Sequence, residues 1–140
     1  QDLFSRTLVS DYLFAKDRIF AYMNLSREEL ALYERIYDLV QPQILVPDIV
    51  LYLHAEPDVL MERLAKRGRT YERSVESIYL EELMTGYNRF FAHYSESPLL
   101  ILDTSRVDFE NNPDDFHQIL ELIAQTTEGQ HRHVLNSRAA

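Results

Sequence analysis

Ile49, Val50, Leu51, Tyr52 and Leu53 form an unbroken apolar run, and after three intervening residues Pro57 opens a stretch with Val59, Leu60 and Leu64 at helical spacing, closed by Gly68. A strand that is apolar at every position has both faces covered, as in a parallel sheet flanked by helices. Proline is tolerated in the first turn of a helix and glycine just past its end. Residues 49–68 therefore read as strand, turn and helix, half of a βαβ unit. Leu99, Leu100, Ile101 and Leu102 repeat the buried-strand pattern, and Asn112, Pro113, Asp114 and Asp115 announce a final helix through Phe116, Ile119, Leu120 and Ile123. Thr7, Leu8, Val9 and Ser10 read as a further short buried strand. Strands alternating with helical stretches give an α/β architecture with a parallel sheet.

Between these strands the helical signals are dense. Leu13, Ala15, Ile19, Phe20 and Met23 roughly follow helical spacing, and Ser26 with Glu29 forms a capping box that opens a helix carrying Leu30, Tyr33, Ile36, Tyr37 and Val40. A long helix is expected from about Ser74 to Tyr94, with Tyr79, Leu83, Tyr87, Phe90 and Tyr94 on one face. Residues 1–127 read as part of one domain, and residues 128–140 as a polar, frayed tail. A strand so close to the first residue needs neighbours to hydrogen-bond, which leads us to expect further sequence upstream.

Composition excludes several classes. Without cysteine there is neither a disulfide framework nor a cysteine zinc site. No apolar run approaches the roughly 18 residues of a membrane span, and the first residues lack the pattern of a signal peptide, so a cytoplasmic protein is expected. A net charge of -9 opposes general nucleic-acid binding. The serines lie in no nucleophile-elbow context, and His131 and His133 have only loose metal-ligand spacing.

Against that acidic background, Arg63, Lys66, Arg67, Arg69 and Arg73 gather five of the fourteen basic residues, opposed only by Glu72. Cations at a helix C-terminus stabilise its dipole, typically by about 0.3–1 kcal/mol, without further purpose. Arginines around a glycine can also close over phosphates and neutralise charge that develops during phosphoryl transfer.

The ordered set Arg63-x-x-x-Arg67-Gly68-Arg69-x-x-Glu72, followed by Tyr79-Leu80-x-x-Leu83 and Phe90-Phe91, resembles the lid and following helix of the deoxynucleoside kinase family. Residues 10–14 and 16–21 resemble that family's segment after its third strand, and Leu102-Asp103-x-x-x-x-Asp108-Phe109 resembles its adenine-side loop. The resemblance spans residues from about 7 to 123. It implies a P-loop NTPase-like fold, with the lid at about 63–73, and an ATP-dependent phosphotransferase acting on a deoxynucleoside, with Mg²⁺. Arg67 and Arg69 match the lid arginines on the donor phosphates, and Arg63 with Phe109, beside Asp108, would flank the adenine. Glu72 matches the carboxylate that holds the sugar 3'-hydroxyl. Asp17 and Phe20 fall near the nucleobase pocket, Phe20 as a stacking surface; a core aromatic and a solvated acid are the plain alternative. A homodimer through the helices of the 13–40 region is also implied.

Two departures accompany the resemblance. Many members carry an acidic residue followed by arginine and serine at the strand end, where this chain has Ser10-Asp11-Tyr12. Asp11 can take the acidic position and hold Mg²⁺ through water, or cap the next helix. The phosphate loop G-x-x-x-x-G-K-[ST] does not occur among these residues, whose only glycines are Gly68, Gly86 and Gly129. The expectation is therefore a C-terminal kinase part, with the N-terminal portion of the fold missing and no turnover on its own. A thymidylate-type nucleoside monophosphate kinase and a non-catalytic helical dimerisation domain are the competing readings.

Overall fold

The computed structural model describes residues 7–68 and 77–137. Three parallel strands, β1 (Val50–His54), β2 (Leu99–Asp103) and β3 (Gln130–Val134), form one sheet in the order β1-β2-β3. Around it, among the described residues, run five α-helices: α1 (Asp17–Asn24), α2 (Arg27–Val40), α3 (Pro57–Arg67), α4 (Ser77–Ala92) and α5 (Pro113–Gln125).

β2 is the centre of the molecule. Its alternate residues serve two cores, as the period of two in a strand requires. Leu99 and Ile101 join Ala15, Val50, Phe91 and Tyr94 in a cluster under α4. Leu100 and Leu102 join Val107, Ile119 and Leu135 under α5. Leu99, Leu100 and Leu102 are wholly buried, which accounts for the continuous apolar sequence there.

The local signals read from the sequence are realised. Ser26 and Glu29 form the reciprocal capping box at the start of α2, Pro57 occupies the first turn of α3, and Asn112 caps α5 by accepting from the Asp114 amide. Gly68 ends α3 with φ of 66°, a left-handed conformation that costs glycine little. Gly86 lies where α1 crosses α4; a Cβ there would meet the Ile19 Cγ2 at 2.9 Å.

Two expectations do not hold. Residues 7–10 form no strand, and Leu8 and Val9 are exposed. β-branched residues alone do not make a strand; that takes a place in a sheet ladder, and the sheet β1-β2-β3 does not include residues 7–10. Conversely, residues 130–134, expected to fray, form β3. The open edge of β2 supplies its partner, Gly129 (φ 70°) turns the chain onto it, and its polar side chains are tolerated because the strand is exposed. The helix expected from about Ser74 is described from Ser77 to Ala92.

Candidate functional site

Parallel pairing places the C-terminal ends of β1 and β2 side by side, with His54 opposite Asp103. Ligands of open α/β sheets bind at this edge. The β2–α5 loop leaves from it and is gripped by the end of α3. The Arg63 Nη1 donates to the Thr104 Oγ1 at 3.0 Å, while Nη2 donates to the Thr104 carbonyl at 2.7 Å and to the Val107 carbonyl at 3.3 Å. Thr104, itself 1 % exposed, donates through both its hydroxyl and its amide to the His54 carbonyl. These bonds lie along the edge of the guanidinium, so its flat face is not consumed by them.

Asp103 organises the start of the loop. Its Oδ1 accepts from the Ser105 hydroxyl at 2.6 Å and amide at 2.9 Å, and Oδ2 lies 3.9 Å from the His54 Nδ1. Burial pushes its pKa up, but the Ser105 donors, with the charges of His54 and Arg106, together hold it below the ordinary value. Further along, Asp108 accepts from the Asn111 side chain and amide, which chiefly depress its pKa, and the Lys66 charge adds to the effect. Lys66 and Arg67 are the basic residues of the last turn of α3. Phe109 is half-buried against the α5 core cluster.

A second group lies on the α1–α4 side. The Phe20 ring meets the Tyr87 ring edge-on at 6.2 Å, Tyr87 stacks on Tyr52 at 5.8 Å, and Tyr52 meets the His54 ring at 6.2 Å. Burial, followed by the charge of Asp11, raises the Tyr87 phenol pKa, which sets Asp11 near this aromatic row. Asp11 itself is exposed. Asp17 accepts from the Tyr33 hydroxyl at 3.1 Å, and burial together with that bond pushes the Tyr33 pKa well up. Next to it, Arg18 makes a two-pronged contact with Glu34 and lies over the Tyr37 ring at 5.0 Å. From Phe20 through Tyr87, Tyr52, His54 and Thr104 to Arg63, neighbouring contacts run without a break and link the two groups.

The deoxynucleoside kinase profile matches residues 1–128. The chain belongs to the deoxynucleoside kinase family. Deoxyguanosine kinase of Bacillus subtilis (strain 168) is 33% identical over 116 residues, covering 80% of this chain and 56% of that protein. Deoxycytidine kinase 2 of Gallus gallus is 36% identical over 112 residues, 77% of this chain and 38% of that protein. Deoxyadenosine/deoxycytidine kinase of Bacillus subtilis (strain 168) is 26% identical over 113 residues, 76% of this chain and 52% of that protein. The chain spans about half the length, or less, of the curated relatives it matches. The parallel sheet with flanking helices is the P-loop NTPase-like α/β architecture expected of a deoxynucleoside kinase.

Of the residues singled out in the sequence, Arg63, Arg67, Asp108 and Phe109 fall on α3 and the loop it grips, while Asp11, Asp17 and Phe20 fall on or before α1. Arg69 and Glu72 lie outside the described residues. Thr104, Ser105, Tyr33 and Tyr52 were not singled out for the site, although each orders it. Tyr52 alone left a signal, an aromatic ring in an otherwise aliphatic strand. Among the described residues no group of three His, Asp or Glu gathers as a metal site, and no helix is long and apolar enough to cross a membrane.

Proposed function

We propose that this kinase-family chain forms the lid and donor-base side of an enzyme that transfers the γ-phosphoryl group of ATP to the 5'-hydroxyl of a deoxynucleoside. One observation carries the reading: Arg63 ties the end of α3, with Lys66 and Arg67, to the loop bearing Asp108 and Phe109. A cationic helix end fixed beside an aromatic-bearing loop can meet both halves of a nucleoside triphosphate. Arg63 and the Phe109 ring flank the base, and Arg67 and Arg69 take phosphate oxygens, with contacts that strengthen as charge builds in the transition state.

On the acceptor side, Phe20 offers a stacking surface, Asp17 a hydrogen-bond acceptor, and Glu72 a carboxylate for the 3'-hydroxyl. The three relatives named above are kinases of deoxynucleosides, which favours a nucleoside acceptor over a monophosphate. Magnesium prefers oxygen ligands and keeps several waters, and exposed, hydratable Asp11 suits contact through water. When bound with ATP the ion would neutralise phosphate charge. Leu32, Ile36 and Leu39, exposed on one face of α2, support a homodimer. A cytoplasmic location belongs to the same proposal and is checked by cell fractionation.

The residues in hand include no phosphate loop, so the 140-residue chain by itself is expected to lack turnover. The test is ATP-dependent phosphorylation of the four deoxynucleosides by the full-length protein. Transfer to at least one supports the reading, and transfer to none overturns it. Light scattering that shows a monomer removes the dimer.

A further inference from the structure

We infer that the segment from Gln130 to Ser137 is a strap that holds the β2–α5 loop in the position required to receive the nucleotide. This rests on the proposed donor-base role of that loop, and it concerns residues beyond the 1–128 span matched by the family profile.

The strap is fastened at three points. β3 pairs with β2 along its whole length, and the Gln130 side chain donates to the carbonyls of Phe91 and Tyr94 at 3.1 and 2.7 Å. Leu135 is 1 % exposed inside the α5 core cluster, and its amide donates to the Asp103 carbonyl at 3.0 Å. Two residues on, the Ser137 hydroxyl donates to the Asp115 Oδ2 at 3.2 Å and accepts from the Asn112 side chain at 3.2 Å.

Asp115 is the residue through which the strap acts. It is 1 % exposed at the start of α5, and the same Oδ2 accepts from the Asp108 amide at 3.0 Å. Its Oδ1 has no hydrogen-bond partner among the described residues. A buried carboxylate is stable only with donors, here the Ser137 hydroxyl and the Asp108 amide together with the positive end of the α5 dipole. Removing the serine hydroxyl leaves one direct donor, and the carboxylate then gains by turning toward water and releasing Asp108. Asp115 and Ser137 are therefore positioning residues: they fix the backbone of Asp108, next to Phe109, and touch no substrate.

The experiment uses the full-length protein and the Ser137→Ala variant, which changes an exposed residue and no apolar side chain of the core. Hydrogen exchange of the peptide covering residues 104–112 is expected to quicken about fivefold, the effect of one lost hydrogen bond. The KM for ATP should rise by a similar factor, with kcat and the deoxynucleoside KM unchanged, and Ser137→Thr should restore both readouts. Unchanged exchange in the loop overturns the strap. Faster exchange with an unaltered ATP KM upholds the mechanical link and overturns the placement of ATP at this loop, which separates the failure of one reading from that of the other.

Discussion

The Arg63 guanidinium straddles Thr104, donating to its side-chain oxygen from one nitrogen and to its carbonyl from another, across 41 positions of sequence. Arg63→Lys keeps the charge but offers a single ammonium in place of a planar fork. It should destabilise the fold by about 1–3 kcal/mol, because the Thr104 and Val107 carbonyls lose a donor. Urea unfolding measures this, and a lysine variant as stable as the parent would refute a structural role for the fork.

Ser105 sets the acid sensitivity of Asp103. The folded pKa of Asp103 lies below its ordinary value, so its contribution is present above about pH 4 and is lost as pH falls through the folded value. Ser105→Ala deletes the shortest donor to the carboxylate, and the pKa should move up. The variant should be less stable at neutral pH, with the gap narrowing in acid. Carboxyl-carbon NMR gives the titration directly; an unmoved Asp103 curve would contradict the assignment.

Gly86 fixes how closely α1 approaches α4. Gly86→Ala adds a methyl against Ile19 and should cost about 1–3 kcal/mol despite the higher helix propensity of alanine. The double variant with Ile19→Ala, which removes that Cγ2 methyl, should lose less stability than the two single changes added together. Thermal unfolding of the four proteins in this cycle decides whether the two sites couple.

Arg67 is proposed to act on charge that develops during transfer. Arg67→Ala in the full-length enzyme should lower kcat by about 10²-fold or more, with the deoxynucleoside KM little changed. A rise in that KM at constant kcat would make Arg67 a ground-state binding residue.

The elements that were legible in the sequence are those specified locally. β1 and β2 announce themselves through unbroken apolar runs, and Ser26, Pro57, Gly68 and Asn112 mark helix boundaries by their own backbone chemistry. Residues 7–10 have the local look of a strand and take no place in the sheet, whereas residues 130–134 lack the look and pair with β2. β3 is dictated by the open edge of β2, some thirty positions earlier in the register pairs, which no window of sequence contains.

The candidate site divides in the same way. Arginines spaced around Gly68 and the Asp108–Phe109 pair stand out because their residue types are informative together. Thr104, Ser105 and Asp115 are ordinary residues whose importance comes from contacts to His54, Glu56 and Asp108 made by folding. Asp115 reads in the sequence as an acid favouring a helix N-terminus, which it is, but its burial and its hold on Asp108 are tertiary facts.

Because all three strands run in the same direction and in a common register, His54, Asp103 and Val134 end at one level of the sheet. The turn into α3, the Asp103–Phe109 loop and the chain leading to Ser137 thus start from a single baseline. Sliding any strand by one residue would displace its outgoing segment by about 3.3 Å and turn its side chains to the opposite face. Strand alignment, set by leucines that touch no substrate, is therefore a form of calibration for the distances between segments that would.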